Sequence, residues 1–164
     1  MQFPKPVNFR PADRVRKARF SDEEPPFLNR PARHGRKQQG ILYEQRCHAY
    51  LGERYSVHFL SAPWIIFEDA LGLRWCQPDG IIFDVRPGRI ICTEIKLRHC
   101  SEAYFQLFEL YIPVLSVIFP KWSIRGCEVC RWFDPKEPTP EAPTMRKNPV
   151  DALEGKFNVH IFMP

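Results

Sequence analysis

The residues of this chain best suited to chemistry are two acids and a lysine among apolar neighbours. They are Asp79, Glu94 and Lys96 in "CQPDGIIFDVRPGRIICTEIKLRH", residues 76–99. A buried carboxylate is costly, and a metal ion or a matching cation is the usual compensation. Mg²⁺ is commonly held by one or two carboxylates plus water and substrate phosphate, so Asp79 and Glu94 form a half-shell to which the backbone carbonyl of Ile95 adds a ligand. An ion there would lower the pKa of a bound water, stabilise charge on a scissile phosphate, and align nucleophile and leaving group. Lys96 would hold a phosphate oxygen or orient the attacking water. The competing reading is a plain salt bridge between Asp79 and Lys96 on a partly exposed face.

These residues need a hairpin to bring them together. Arg86-Pro87-Gly88-Arg89 reads as a type II turn, with proline presetting the first central position and glycine accepting positive φ at the second. If Arg86 faces Arg89, then Val85 faces Ile90, Phe83 faces Cys92, Ile81 faces Glu94 and Asp79 faces Lys96. Asp79, Glu94 and Lys96 then share one face, with Asp79 and Glu94 diagonal neighbours about 7–8 Å apart at the backbone. Gly80, Ile82, Asp84, Ile91, Thr93, Ile95 and Leu97 occupy the other. Both faces are largely apolar, so the hairpin is expected to be central.

Around it, "QQGILYEQRCHAYLG" (38–52) predicts a helix, with Gly40, Glu44, Cys47 and Leu51 at intervals of four, three and four. That spacing puts Glu44 on or beside the apolar face. "YSVHFL" and "WIIFED" read as strands around Pro63, and "EDALG" as a strand end or helix start. "EAYFQLFELYIPVLSVIF" is a helix pressed against the sheet, kinked or divided at Pro113. "WSIRGCEVCRWF" reads as a strand, "DPKEPTPEAPTMRKNP" as a linker or surface loop, and "KFNVHIFM" as a terminal strand, plausibly at an edge. The expected class is α/β, a mixed central sheet flanked by helices.

Pro78-Asp79, a fourteen-residue spacer, then Glu94-Ile95-Lys96 resembles the PD-(D/E)xK nuclease superfamily. Glu44 fits it, lying on a helix before the strands where many members carry a further acid ligand. Gln106, with Tyr111 five residues later, resembles the Gln-x-x-x-Tyr motif of the RecB-like branch, one residue longer. The resemblance covers residues 38–133. It implies a restriction-endonuclease-like core and Mg²⁺- or Mn²⁺-dependent hydrolysis of nucleic-acid phosphodiesters, most readily of DNA. Metal ligands would be Glu44, Asp79, Glu94 and the Ile95 carbonyl; Asp79, Glu94, Lys96 and Gln106 would be catalytic. Some RecB-like relatives hold an iron–sulfur cluster through four cysteines, but only Cys127 and Cys130 lie near the C-terminus here, so the cluster is not carried over.

At 164 residues the chain is the size of one domain. Many of its 17 prolines fall in residues 4–31 and 135–149, so both ends read as arms around a denser middle. Residues 1–40 carry ten lysines and arginines against four acids, and residues 41–164 fourteen against fifteen. The basic excess thus lies in the N-terminal arm (1–37), where Arg14, Arg16, Lys17, Arg19, Arg33, Arg36 and Lys37 could neutralise phosphates without a prior fold; a solvated, disordered tail is the alternative. No uninterrupted run of 18 apolar residues and no apolar leader occurs, so the expectation is a cytoplasmic protein without a membrane partner.

Six cysteines at 47, 76, 92, 100, 127 and 130 are expected to be reduced, packed thiols rather than disulfides. Cys127-Glu-Val-Cys130 has zinc-like spacing without a second pair. Glu68-Asp69, His48, His58 and His99 are weaker candidates, and no phosphate-binding glycine loop appears. Three functions compete: a metal-dependent nuclease, a non-catalytic DNA-binding or assembly module on the same fold, and a zinc protein. A chain this small is expected to need self-association or a larger DNA-processing complex to grip two strands.

Overall fold

The computed structural model describes residues 2–28 and 36–164, and of Arg36 and Lys37 only the backbone. It is α/β. Among the described residues, nine strands form two sheets. The larger is mixed, in the order β2 (Phe59–Ser61), β5 (Gly80–Phe83), β6 (Arg89–Arg98), β7 (Ser123–Trp132), β9 (Phe157–Ile161), β8 (Thr144–Met145). β6, β7, β9 and β8 run parallel, while β2 and β5 are antiparallel to their neighbours. The smaller sheet, β1 (Lys17–Ser21), β3 (Trp64–Asp69) and β4 (Gly72–Cys76), is antiparallel.

Helix α1 (Arg36–Tyr55) covers one face of the large sheet. Tyr43, Cys47 and Leu51, four residues apart, form its buried seam and meet Ile82, Ile91, Ile95, Cys127 and Val129. The other face is covered by one helical run: α2 (Ser101–Phe105), a π-helical stretch (Gln106–Tyr111) and α3 (Ile112–Ile118). Ala103, Leu107, Tyr111, Val114 and Leu115 pack there with Ile81, Ile90, Cys92, Cys130, Phe157 and Val159. The small sheet adds Ile65 and Phe67 to this larger core. Each fully buried Leu, Ile or Phe contributes about 1.5–3 kcal/mol. Pro113 donates no N–H to the preceding turn, and the Glu109 carbonyl four residues back accepts the Ala12 N–H at 2.8 Å instead, so the run continues without a break.

Two expectations change. Residues 17–21 of the N-terminal segment are part of the fold, because β1 pairs with β3 from Lys17↔Glu68 to Ser21↔Trp64. "EDALG" is the expected strand end: β3 finishes at Asp69 and turns into β4, with Gly72 at φ +107° and Asp69 Oδ1 accepting the Leu71 N–H at 2.9 Å. The terminal strand β9 is not an edge, since β8, from the segment read as a linker, flanks it. No helix among the described residues is long and apolar enough to cross a membrane.

Candidate active site

The β5–β6 register differs from the expected one by two residues. Gly80 faces Thr93, Ile81 faces Cys92, Ile82 faces Ile91 and Phe83 faces Ile90. The cause is Asp84. Its carboxylate accepts the Arg86 N–H at 3.1 Å and Arg86 Nε at 2.9 Å, and faces Arg89 Nε at 3.3 Å, while its own N–H donates to the Arg89 carbonyl at 3.1 Å. An aspartate that bonds its own backbone two residues on widens the loop to residues 85–88, with Gly88 at φ +76°. A two-residue shift preserves which face each side chain occupies, so Asp79, Glu94 and Lys96 still share one. Continuing the register one step sets Asp79 against Glu94 itself.

β5 begins only at Gly80, opposite Thr93, while β6 runs on to Arg98. The backbone of β6 beyond Thr93 therefore lacks β5 as a ladder partner, and the Ile95 N–H donates to Asp79 Oδ2 at 2.7 Å. A strand residue's N–H and C=O point to the same side, so the Ile95 carbonyl is directed towards Asp79 as well. Gly80 permits this approach: a Cβ there would lie 2.5 Å from the Phe59 ring and 2.7 Å from Thr93 Oγ1.

Lys96 Nζ is 3.1 Å from Glu94 Oε1, so the ion pair is with Glu94 and not with Asp79. Glu94 Oε2 is buried with no donor facing it, and Asp79 lies near enough to take a shared proton from Glu94. Burial, then the Asp79 charge, holds the Glu94 carboxyl well above the carboxylate range. Burial and the nearby Glu44 push Asp79 up to about 6, against the Ile95 N–H, Lys96 and His48. For Lys96, burial opposes the charge, but attraction and hydrogen bonding to Glu94 outweigh it and raise the ammonium above its ordinary value.

α1 brings Glu44 within electrostatic reach of Asp79, and His48 Nε2–H donates to the Asp79 carbonyl at 2.7 Å. From the other face, Tyr111 is buried close to Glu94 and Asp79, and desolvation followed by those charges raises its pKa strongly. Gln106 and Tyr111 are the first and last residues of the π-helical stretch. Gln106 Oε1 is buried there without a hydrogen-bond partner.

Sequence reasoning passes over Glu128 and leaves His99 without a partner. In register, Glu128 stands beside Glu94, and its carboxylate meets His99 Nδ1 at 2.5 Å and the Cys100 N–H at 3.2 Å. Burial raises the Glu128 carboxyl, partly offset by His99. A lone acid in the apolar run "GCEVC" was the available signal, of the kind that singled out Glu94.

Other candidates fall outside the site. Arg14 pairs with Asp13 and Arg16 with Glu68, while Lys17 and Arg19 lie on the outer side of β1; none of the four contacts Asp79, Glu94 or Lys96. Arg33 lies outside the described residues, as do the side chains of Arg36 and Lys37. Asp69 is taken by Arg74 at 2.6 Å and by the Asp13 N–H. Cys127 and Cys130 point to opposite faces of β7, so this spacing does not chelate. The described cysteines form no disulfide. Among the described residues no three His, Cys, Asp or Glu side chains are grouped as a metal ion needs, because Glu94 is turned to Lys96 and Asp79 to the Ile95 N–H. No family model matches the chain, and neither a curated protein nor a solved structure matches it.

Proposed function

We propose that this chain is a metal-dependent nuclease with a restriction-endonuclease-like core, hydrolysing phosphodiester bonds of nucleic acid, foremost DNA. The observation that carries the reading is a buried carboxylate, Glu94, and a largely buried one, Asp79, set together just before β5 begins, with Lys96 the one lysine paired there among the described residues. Ionising both members of the pair would leave one negative charge beyond Lys96, and a divalent cation is the natural complement of the fully ionised pair. The donor set is all hard oxygen, which suits Mg²⁺ or Mn²⁺. Asp79, Glu94, the Ile95 carbonyl and Glu44 would hold the ion, which would supply water activation and charge stabilisation.

The chain's own residues have separate tasks. Lys96, kept charged, would neutralise a phosphate oxygen. Gln106 presents an unpartnered carbonyl oxygen able to accept a hydrogen bond from a water. Tyr111 packs beside both acids and limits bulk water. The ion pair between Glu94 and Lys96 favours one second reading, a non-catalytic DNA-binding module in which the pair is permanent.

The test is incubation of the protein with linear, circular, single-stranded and junction DNA in Mg²⁺ or Mn²⁺, alongside Lys96→Ala, with a calorimetric Mn²⁺ titration of wild type and Asp79→Asn. Cleavage abolished in Lys96→Ala, with Mn²⁺ heat abolished in Asp79→Asn, is the nuclease outcome. Absence of both cleavage and carboxylate-dependent heat in the wild type leaves the binding module.

A further inference from the structure

Between α1 and the carboxy-terminal ends of β6 and β7 runs a groove of about 330 Å³ whose lining includes Leu42, Tyr43, Arg46, Leu97, Arg131 and Trp132. Leu97 follows Lys96 on β6 and so takes the opposite face, which puts the groove on the α1 side of the sheet with Tyr43, the neighbour of Glu44. Its volume is in the range of small-ligand sites. The lining mixes two chemistries. Trp132 is 47% exposed at the end of β7, and the Arg131 guanidinium lies 4.9 Å from its ring centre. Arg98 is its cross-strand partner on β6 and is exposed, as is Arg46 on α1.

Arg16, Arg74, Arg86 and Arg89 each face a carboxylate. Arg46, Arg98 and Arg131 face none among the described residues, and Arg131 Nε is buried without an acceptor. Three uncompensated guanidinium groups around an exposed indole form a site for something anionic with an aromatic face.

We propose that this groove binds single-stranded DNA, with one base stacked on Trp132 and the flanking phosphates on Arg46, Arg98 and Arg131. An exposed indole offers its face, and a base offers its own face only when unstacked, as in a single strand or a frayed end. Intact duplex presents edges and phosphates and gains little from Trp132. The inference deepens the nuclease reading, on which its link to cleavage rests: the strand to be cut is delivered to Asp79, Glu94 and Lys96 already unpaired.

The experiment measures fluorescence anisotropy of labelled oligothymidylate and of a blunt duplex with the full-length protein in EDTA, so that binding is read without cleavage. Wild type is expected to prefer the single strand. Trp132→Ala should weaken single-strand binding about ten-fold or more and leave duplex binding unchanged, with Trp132→Phe retaining most of the affinity. Arg46→Ala with Arg131→Ala should reduce the slope of log affinity against log salt by about 0.7 for each phosphate no longer neutralised. Circular dichroism checks that the variants fold. Equal wild-type affinity for duplex and single strand, unchanged affinity in Trp132→Ala, or a Trp132→Ala effect confined to self-association overturns the proposal. Trp132-dependent binding without metal-dependent cleavage of any substrate overturns the nuclease reading alone. Cleavage insensitive to Trp132 overturns this inference alone.

Discussion

One hairpin carries two buried acidic clusters, and they are built in opposite ways. At the turn, the Asp84 side chain is fully buried and meets both Arg86 and Arg89, as well as a backbone N–H. At the far end, Asp79 and Glu94 share one lysine, and Glu94 Oε2 has no donor at all. The first cluster is complete and widens a loop. The second has one lysine for two carboxyl groups, and both are pushed up by burial and by neighbouring acids. Folding alone has no use for such a deficit, so the incomplete end is where a ligand is expected.

Removing the single cation from the incomplete end should have the largest effect. Lys96→Ala is expected to lower Mg²⁺-dependent cleavage at least about 10³-fold, about 4 kcal/mol of barrier. Glu94 can take up a proton in its place, so circular dichroism should show the fold retained. Near wild-type initial rates would sink the catalytic reading of this end.

Gly80→Ala acts between the two clusters. Its Cβ would overlap Phe59 and Thr93, costing about 1–3 kcal/mol in chemical denaturation and reducing cleavage, since Asp79 precedes it.

Neutralising one acid at each end should move stability in opposite directions. At pH 8, Asp84→Asn should destabilise the protein by about 1–3 kcal/mol, because it removes the anion that two arginines and a loop N–H share. Asp79→Asn should stabilise it by a similar or smaller amount, because it relieves repulsion with Glu94 and Glu44 and leaves an oxygen for the Ile95 N–H. Equal signs in denaturant titrations would erase the distinction between the two ends.

pH gives the same contrast without mutation. The Asp79 pKa rises from its ordinary 3.8 to about 6 on folding, so the native state binds the extra proton. This contribution is fully present at acid pH and is lost as pH climbs from about 4 through 6, by roughly 1–3 kcal/mol. The loss should vanish in Asp79→Asn and be offset by Mn²⁺. The smallest effect is expected for Tyr111→Phe, which removes one hydroxyl beside the acids and should slow cleavage less than about ten-fold with little change in denaturation midpoint.

Much of this was legible from local chemistry. Alternation along β6 puts Glu94 and Lys96 on one face whatever the turn does, and "WIIFED" becomes β3 from Trp64 to Asp69. The pairing itself was not legible. Arg-Pro-Gly-Arg permits a tight turn, but the Asp84 carboxylate recruits Arg86 and Arg89 and opens the loop. The ordering of the basic N-terminal segment was hidden for a related reason: β1 exists because β3 offers it an edge, and composition cannot report that. The π-helical stretch from Gln106 to Tyr111 was equally hidden, since its sequence reads as ordinary apolar helix.

By itself the sequence determined which residues could do chemistry, which elements bear them and which face each strand residue takes, because these follow from side-chain type and a period of two. The tertiary structure decided the partners. Whether Lys96 meets Glu94 or Asp79, whether Glu128 stands beside Glu94, and whether Trp132 ends beside unpaired arginines depend on register and on strands far apart in the chain, where a shift of two residues leaves every local pattern intact and changes every pairing.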